Sequence, residues 1–228
     1  MTATLHAVCI DANDPDRLTR FWAGILGWET DGTVLVPTDD TGFRIRFTHT
    51  GEKKSRKNHA HFDLTSTSAE DQRRTVAKAI ELGGRHVDIG QRPEEEHVVL
   101  ADPEGNEFCV IEPGNDFLAG CGFVGALACD GSQEVGYFWS KALDWPLVWD
   151  RDQETAIRSP RGGPKITWGG PPFDPKTAKR RVRFAVSGLL SDVDRLVSLG
   201  ATRLGAGEGG QVEMADPDGN EFSVVVPG

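Results

Sequence analysis

The sequence has few cysteines, no long apolar run and no excess of positive charge, and each shortage excludes a class of protein. None of the four cysteines has CxxC spacing, which argues against a disulfide framework or a zinc ribbon. The longest weakly polar run, Gly120 to Cys129, is well short of the ~20 residues that span a bilayer. The amino terminus shows no basic stretch before an apolar one. We therefore expect no signal peptide, no membrane association and a cytoplasmic location.

The charge balance argues against a nucleic-acid partner. The 228 residues include 35 acidic and 25 basic side chains, for a net charge of −10. When the chain is divided after Gly114, both parts are net negative. Since nucleic-acid binding needs a basic surface, neither part fits such a partner. The length suggests one large domain or two small ones.

The chain is an internal repeat. The segment Asp102-Pro-Glu-Gly-Asn-Glu-Phe108 returns as Asp216-Pro-Asp-Gly-Asn-Glu-Phe222, at an offset of 114 residues. The pair Phe21-Trp22 returns as Phe138-Trp139, at an offset of 117. These offsets predict two copies of one module, residues 1–114 and 118–228, with a linker around Asn115 to Ala119.

Each module divides again into two units of one strand, one helix and three strands. In the first unit, Asp14 and Pro15 predict a helix start and Gly27 predicts its end. In the second, Ser68 with Asp71 predicts a helix start. Strands are predicted in module one at residues 5–12, 33–37, 43–49, 59–65, 97–101 and 107–112, and helices in module two at 132–143 and near 191–199. The pattern predicts an α+β fold in which paired βαβββ units form a curved mixed sheet, with helices on the convex face and a semi-polar pocket on the concave face.

The sequence resembles the vicinal oxygen chelate superfamily, the glyoxalase, bleomycin-resistance and dioxygenase type of protein. The resemblance rests on the helix from Asp14-Pro through Phe21-Trp22 to Trp28, on Lys57-Asn-His-Ala-His-Phe-Asp-Leu64 and on both DP(E/D)GNEF turns. It covers nearly the whole chain and is similar to the glyoxalase-like branch common in actinobacteria. It implies the fold but leaves the function open, because one fold can carry many activities.

Metalloenzymes of this superfamily place ligands at three recurring positions, and the resemblance maps them onto this chain. They fall on Ala7, His59 and Cys109 in module one and on Val124, Arg181 and Ser223 in module two. Neither set gives three ligands of the expected types, so we expect no cofactor. A divalent metal stays open as the alternative, held by His59 and Cys109 or by a shifted Glu107.

Alternation along the strands predicts the side chains on each concave face, and places His6 on the opposite face. The predicted set in module one is Ala7, Cys9, Asp11, Arg44, Arg46, His59, His61, Asp63, Glu107 and Cys109. The predicted set in module two is Val124, Ala126, Ala128, Lys165, Thr167, Arg181, Arg183, Glu221 and Ser223. The plain structural interpretation is a network of ion pairs and hydrogen-bonded histidines.

Two basic runs and two tryptophans each allow two interpretations. Lys53-Lys54-Ser-Arg56-Lys57 and Lys179-Arg180-Arg181 precede equivalent strands and indicate either solvated loops or an anion-facing rim. Trp149 and Trp168 are candidates for stacking a flat ligand, with a core position as the alternative.

These observations favour a metal-independent protein that binds a small metabolite or drug-like molecule, as a monomer or homodimer. The ligand-binding residues we predict are Arg46, His59, His61, Asp63, Glu107, Cys109, Arg181 and Arg183. We place the working pocket in module one, around His59, His61, Arg46 and Glu107. A second hypothesis is a lyase or isomerase acting on a small oxygenated substrate, with His59 and Glu107 as acid and base. A third is a structural protein with vestigial pockets.

Overall fold

The computed structural model describes residues 3–39, 41–92, 94–173, 176 and 178–226. Residues 227 and 228, the predicted end of module two, lie outside the described residues. The chain folds as four βαβββ units, two in each module, which confirms the α+β class and the tandem repeat. No helix in the described part is long and apolar enough to cross a bilayer.

The four units have the same order of elements. Unit 1 comprises β1 (Thr4–Ala12), α1 (Pro15–Leu26), β2 (Glu29–Asp31), β3 (Val34–Val36) and β4 (Arg44–His49). Unit 2 comprises β5 (Ala60–Leu64), α2 (Ala69–Glu81), β6 (Arg85–His86), β7 (Val98–Ala101) and β8 (Glu107–Val110). Unit 3 comprises β9 (Val124–Cys129), α3 (Gln133–Leu143), β10 (Leu147–Arg151), β11 (Glu154–Arg158) and β12 (Lys165–Trp168). Unit 4 comprises β13 (Val182–Ser187), α4 (Leu190–Ser198), β14 (Thr202–Ala206), β15 (Val212–Ala215) and β16 (Glu221–Val225).

The predicted helix signals form as expected. Asp14 caps α1 by accepting a hydrogen bond from the Arg17 amide, and Gly27 ends the helix with φ of 68°. The Ser68 hydroxyl caps α2 by accepting from the Asp71 amide. Ser132 caps α3 in the same way, through the Val135 amide. These local side-chain bonds fix where each helix begins, and so how each helix lies across its sheet.

The strands form two eight-stranded mixed sheets, and each sheet crosses the boundary between the modules. Sheet A has the order β14-β15-β16-β13-β1-β4-β3-β2, which joins unit 4 to unit 1. Sheet B has the order β10-β11-β12-β9-β5-β8-β7-β6, which joins unit 3 to unit 2. The seams are the antiparallel pairs β1–β13 and β5–β9. Each concave face therefore takes half of its side chains from each module.

Aromatic side chains on the convex, helix-covered side of the sheets hold the two units of each module together. Trp22 on α1 of unit 1 packs edge-on against Phe62 and Phe108 of unit 2. Trp139 on α3 makes the same contacts with Phe184 and Phe222 of unit 4. Burial of such large rings stabilises the fold by several kcal/mol. The aromatic cores therefore hold the two units of each module together, while the two sheets join one module to the other.

Candidate functional site

Three polar side chains meet on the concave face of sheet B. Phe62 and Leu64 of β5 point into the core, so the intervening His61 and Asp63 point to the concave face. Cys109 of the neighbouring β8 lies opposite Asp63 in the strand register. One donor atom from each of His61, Asp63 and Cys109 lies within 4.8 Å of the other two. The His61 and Asp63 side chains stay 28% and 18% exposed, so a solute can reach them.

Electrostatics favour an ion pair between His61 and Asp63. Burial alone lowers the pKa of His61, but hydrogen bonds to Asp63 and Cys109 outweigh it and raise the pKa to about 10. His61 Nε2 lies 3.4 Å from an Asp63 carboxylate oxygen. Burial raises the pKa of Cys109, so its thiol stays protonated. At neutral pH the site thus presents an imidazolium, a carboxylate and a thiol.

The other half of this face comes from unit 3 and is built of small side chains. Ala126 and Ala128 of β9 lie opposite Asp63 and His61. On β12, Lys165 and Thr167 follow in register on the same face. The two alanines offer no metal-ligating or hydrogen-bonding side-chain atom beside the His61–Asp63 pair. We call the face made by His61, Asp63, Cys109, Ala126, Ala128 and Thr167 the sheet B face.

The linker between the modules covers one end of the sheet B face. Leu118 is 5% exposed and belongs to a small apolar cluster with Cys109 and Ala126. The Lys165 ammonium donates to the Phe117 carbonyl and lies 4.2 Å from the centre of the Phe117 ring. The Phe117 ring also packs edge-on against Trp149. Sequence reasoning treated this segment only as a linker, although two large apolar residues side by side signal burial.

The concave face of sheet A has a different chemistry. Arg183 of β13 binds Asp11 of β1 through two hydrogen bonds of 2.7 and 2.8 Å. Cys9 and Arg46 lie side by side in the register of β1 and β4. A bulge in β1 near His6 interrupts the alternation, and His6 Nε2 lies 3.4 Å from Arg46. The prediction that His6 points away from Arg46 is therefore wrong, because alternation fails at a bulge.

The structure divides the residues that we predicted for one pocket. Arg46 of the predicted module-one face belongs to sheet A, beside Arg183 of the predicted module-two face, whereas His61, Asp63 and Cys109 belong to sheet B. Their roles in binding stay predictions.

His59, Glu107 and Arg181 lie near the junction of the two sheets. Glu107 binds the Lys54 ammonium at 2.6 Å, and Arg181 binds Glu104 at 2.7 Å. Burial and the nearby Arg180 lower the pKa of His59 to about 3, so its imidazole is neutral and weakly basic. The predicted acid–base pair of His59 and Glu107 therefore has a weak base and a carboxylate already engaged by lysine.

The raised pKa of His61 predicts a pH-dependent contribution to stability. The folded protein holds this proton more tightly than the unfolded chain, whose histidine pKa is near 6.5. The contribution is complete below pH 6.5 and is lost as the pH rises towards 10. We expect His61→Gln to lower the free energy of unfolding by roughly 1–2 kcal/mol at pH 6 and by little at pH 10. Urea unfolding at both pH values measures this, with the exposed His86→Gln as the control. A cost that stays constant or grows with pH would contradict the ion pair.

Comparison with known proteins agrees with this architecture. Glyoxalase I from Zea mays superposes with a TM-score of 0.67 at 14% identity, over 99% of this chain and 92% of the maize chain. A provisionally assigned dioxygenase from Bacillus subtilis superposes with a TM-score of 0.63 at 14% identity, over 100% of this chain and 86% of the other. At these identities the likeness shows the fold alone. No curated protein matches the sequence.

The family follows from a sequence match to both modules. The family model of the glyoxalase-like domain matches residues 7–111 and again residues 125–225. These two segments cover most of the chain and correspond to the two tandem copies in the fold. The chain therefore belongs to the glyoxalase-like domain family, within the vicinal oxygen chelate superfamily.

Proposed function

We propose that the protein binds a small oxygenated organic molecule on the sheet B face without needing a metal ion. The observation that carries this proposal is the partly exposed His61–Asp63 pair, which lies beside the methyl groups of Ala126 and Ala128 on the neighbouring strand. An imidazolium donates hydrogen bonds to a ligand oxygen, and the Thr167 hydroxyl on the same face both donates and accepts. Apolar walls with a few fixed polar groups are typical of small-molecule sites.

The superfamily implies a metal ion, and three side chains on the sheet B face could ligate one. His61, Asp63 and Cys109 suit a borderline-soft ion such as zinc in kind and number, and they would be its ligands. Such an ion would act as a Lewis acid towards a ligand oxygen. However, the three groups already satisfy one another through hydrogen bonds and an ion pair. All three come from unit 2, while unit 3 contributes alanines and the Lys165 ammonium.

A lyase or isomerase is the second candidate function. The close approach of His61, Asp63 and Cys109 favours it, because an imidazolium held by a carboxylate can protonate a substrate oxygen. In this version His61 replaces His59 as the acid. Turnover would then fall by ~10²-fold or more when the imidazole is removed.

Metal content, ligand binding and turnover, measured in the same preparation, separate the two candidates. We expect well under one transition-metal ion per chain by elemental analysis, and no change in the midpoint of thermal unfolding on adding zinc. Small α-keto acids, hydroxy acids and phenols form the ligand panel, and a bound member raises the midpoint by mass action. The shift should vanish in His61→Ala and persist in His86→Ala, a change at the exposed edge of the same sheet.

Two results would decide against metal-independent binding. The first is stoichiometric metal that a chelator removes together with ligand binding or turnover, which would favour the metal-assisted enzyme. The second is ligand binding that survives His61→Ala unchanged, which would place the ligand elsewhere.

A further inference from the structure

A basic cleft lies where the chain passes between the two sheets. The chain crosses from β4 of sheet A to β5 of sheet B through residues 50–59, and from β12 of sheet B back to β13 of sheet A through residues 169–181. Both crossovers carry a basic run, and the cleft between them is lined by residues 53–57 and 179–181. The two runs lie 120 residues or more apart in the sequence and meet only because the units pair across the modules.

The cleft concentrates positive charge in a protein whose net charge is −10. Seven basic side chains line it, against the two acidic residues Asp11 and Glu52. Asp11 is already bound by Arg183. Like charges crowded together raise the energy of the folded protein, so such a cluster is stabilised by an anion that neutralises it.

The acidic groups around the cleft leave several of these cations without a counter-charge. Glu107 holds Lys54 and Glu104 holds Arg181. Glu104 also accepts from the Asn13 and Asp14 amides at the start of α1, so it already makes three hydrogen bonds. Among the described residues, Lys53, Arg56, Lys57 and Lys179 form no ion pair.

Two half-buried side chains at the inner end of the cleft point to a ligand there. Arg181 lines the cleft with its side chain 12% exposed, and its buried Nε has no hydrogen-bond partner. Leaving such a donor unpaired costs free energy that a ligand or water would recover. His59 also lines the cleft, together with Arg180 and Arg181 of the facing crossover. The inner end is thus strongly electropositive.

We propose that this cleft binds the phosphate or pyrophosphate group of a small metabolite, at a site separate from the sheet B face. Four uncompensated cations suit a group with two or more negative charges better than a single carboxylate. Guanidinium and ammonium donors on two facing segments match the several oxygens of a phosphate. The acidic balance of the rest of the protein disfavours a long nucleic acid and favours a small anion.

Isothermal titration of the full chain with sodium pyrophosphate, at low ionic strength, tests the proposal. We expect saturable binding of one pyrophosphate per chain, with inorganic phosphate binding more weakly and acetate not at all. Lys57→Gln/Lys179→Gln removes one exposed cation from each crossover and should weaken pyrophosphate binding by about tenfold or more. The charge-matched control is Lys78→Gln/Arg203→Gln, on exposed parts of α2 and β14, and should change the affinity by less than about twofold.

Several results would overturn the proposal. Absence of saturable pyrophosphate binding to the wild-type protein would remove the site. An equal loss of pyrophosphate affinity in the control variant would show that the effect depends only on the net charge of the protein. Tighter binding of a 20-nucleotide single strand than of pyrophosphate would assign the cleft to nucleic acid. His61→Ala should leave pyrophosphate binding unchanged. A loss of binding in this variant would show that the cleft and the sheet B face form a single site.

Discussion

Asp102→Ala is expected to lower the free energy of unfolding by about 3–5 kcal/mol, a large fraction of the stability of an ordinary domain. Asp102 is fully buried. One of its oxygens accepts from the Glu104 and Asn106 amides, and the other accepts from the Trp22 indole and the Asn106 side chain. Alanine would leave all four buried or partly buried donors unpaired, and would free the turn that caps α1 through Glu104.

The second module contains the same arrangement, which supplies an internal test. Asp216 accepts from the Asp218 and Asn220 amides and from the indole of Trp139. Asp216→Ala should therefore cost a similar amount. Asp102→Asn keeps one acceptor oxygen and should be intermediate. Asp31→Ala, on the exposed strand β2, is the control and should cost under about 0.5 kcal/mol.

Guanidinium chloride unfolding followed by tryptophan fluorescence measures these costs. Equal, small effects of Asp102→Ala and Asp31→Ala would show that the buried carboxylate does not hold the turn. A large effect in one module alone would show that the two turns have diverged in their structural role.

Local features of the sequence are sufficient to predict the helices and most strands of this fold, although β2 and β6 lie outside the predicted strands. Asp14 and Gly27 bound a helix through their own backbone and side-chain chemistry, which depends on few distant contacts. Alternation in β5 likewise places His61 and Asp63 on the face of the sheet opposite to that of Phe62, as the structure confirms. These signals lie within a few residues of the feature they determine.

The pairing of units could not be predicted in the same way. All four units have the same strand order, so β1, which lies at the edge of its own unit, has the same apolar pattern whether it meets β5 or β13. The choice depends on the crossovers and on contacts between distant residues, such as Arg183 with Asp11. Each predicted set of concave-face residues therefore combined residues of both sheets. The set for module one placed Arg46 and His61 on the same face. The bulge at His6 could not be predicted either, because no glycine or proline marks it in the sequence.

Arg183→Met is expected to cost about 2–4 kcal/mol, because it leaves the Asp11 carboxylate without its partner at the seam between the modules. The two side chains are 12% and 16% exposed, and their paired hydrogen bonds join β13 of unit 4 to β1 of unit 1. The double variant Asp11→Leu/Arg183→Met should recover most of the loss, since neither charge then lies buried alone. Arg74→Met removes the exposed partner of Asp71 on α2 and should cost under about 1 kcal/mol. Unfolding of the wild type, Asp11→Leu, Arg183→Met and the double variant gives the coupling energy between Asp11 and Arg183. If β1 instead paired within its own module, the two residues would be far apart and the single costs would simply add; a coupling energy near zero would therefore refute the cross-module sheet on which both proposed sites depend.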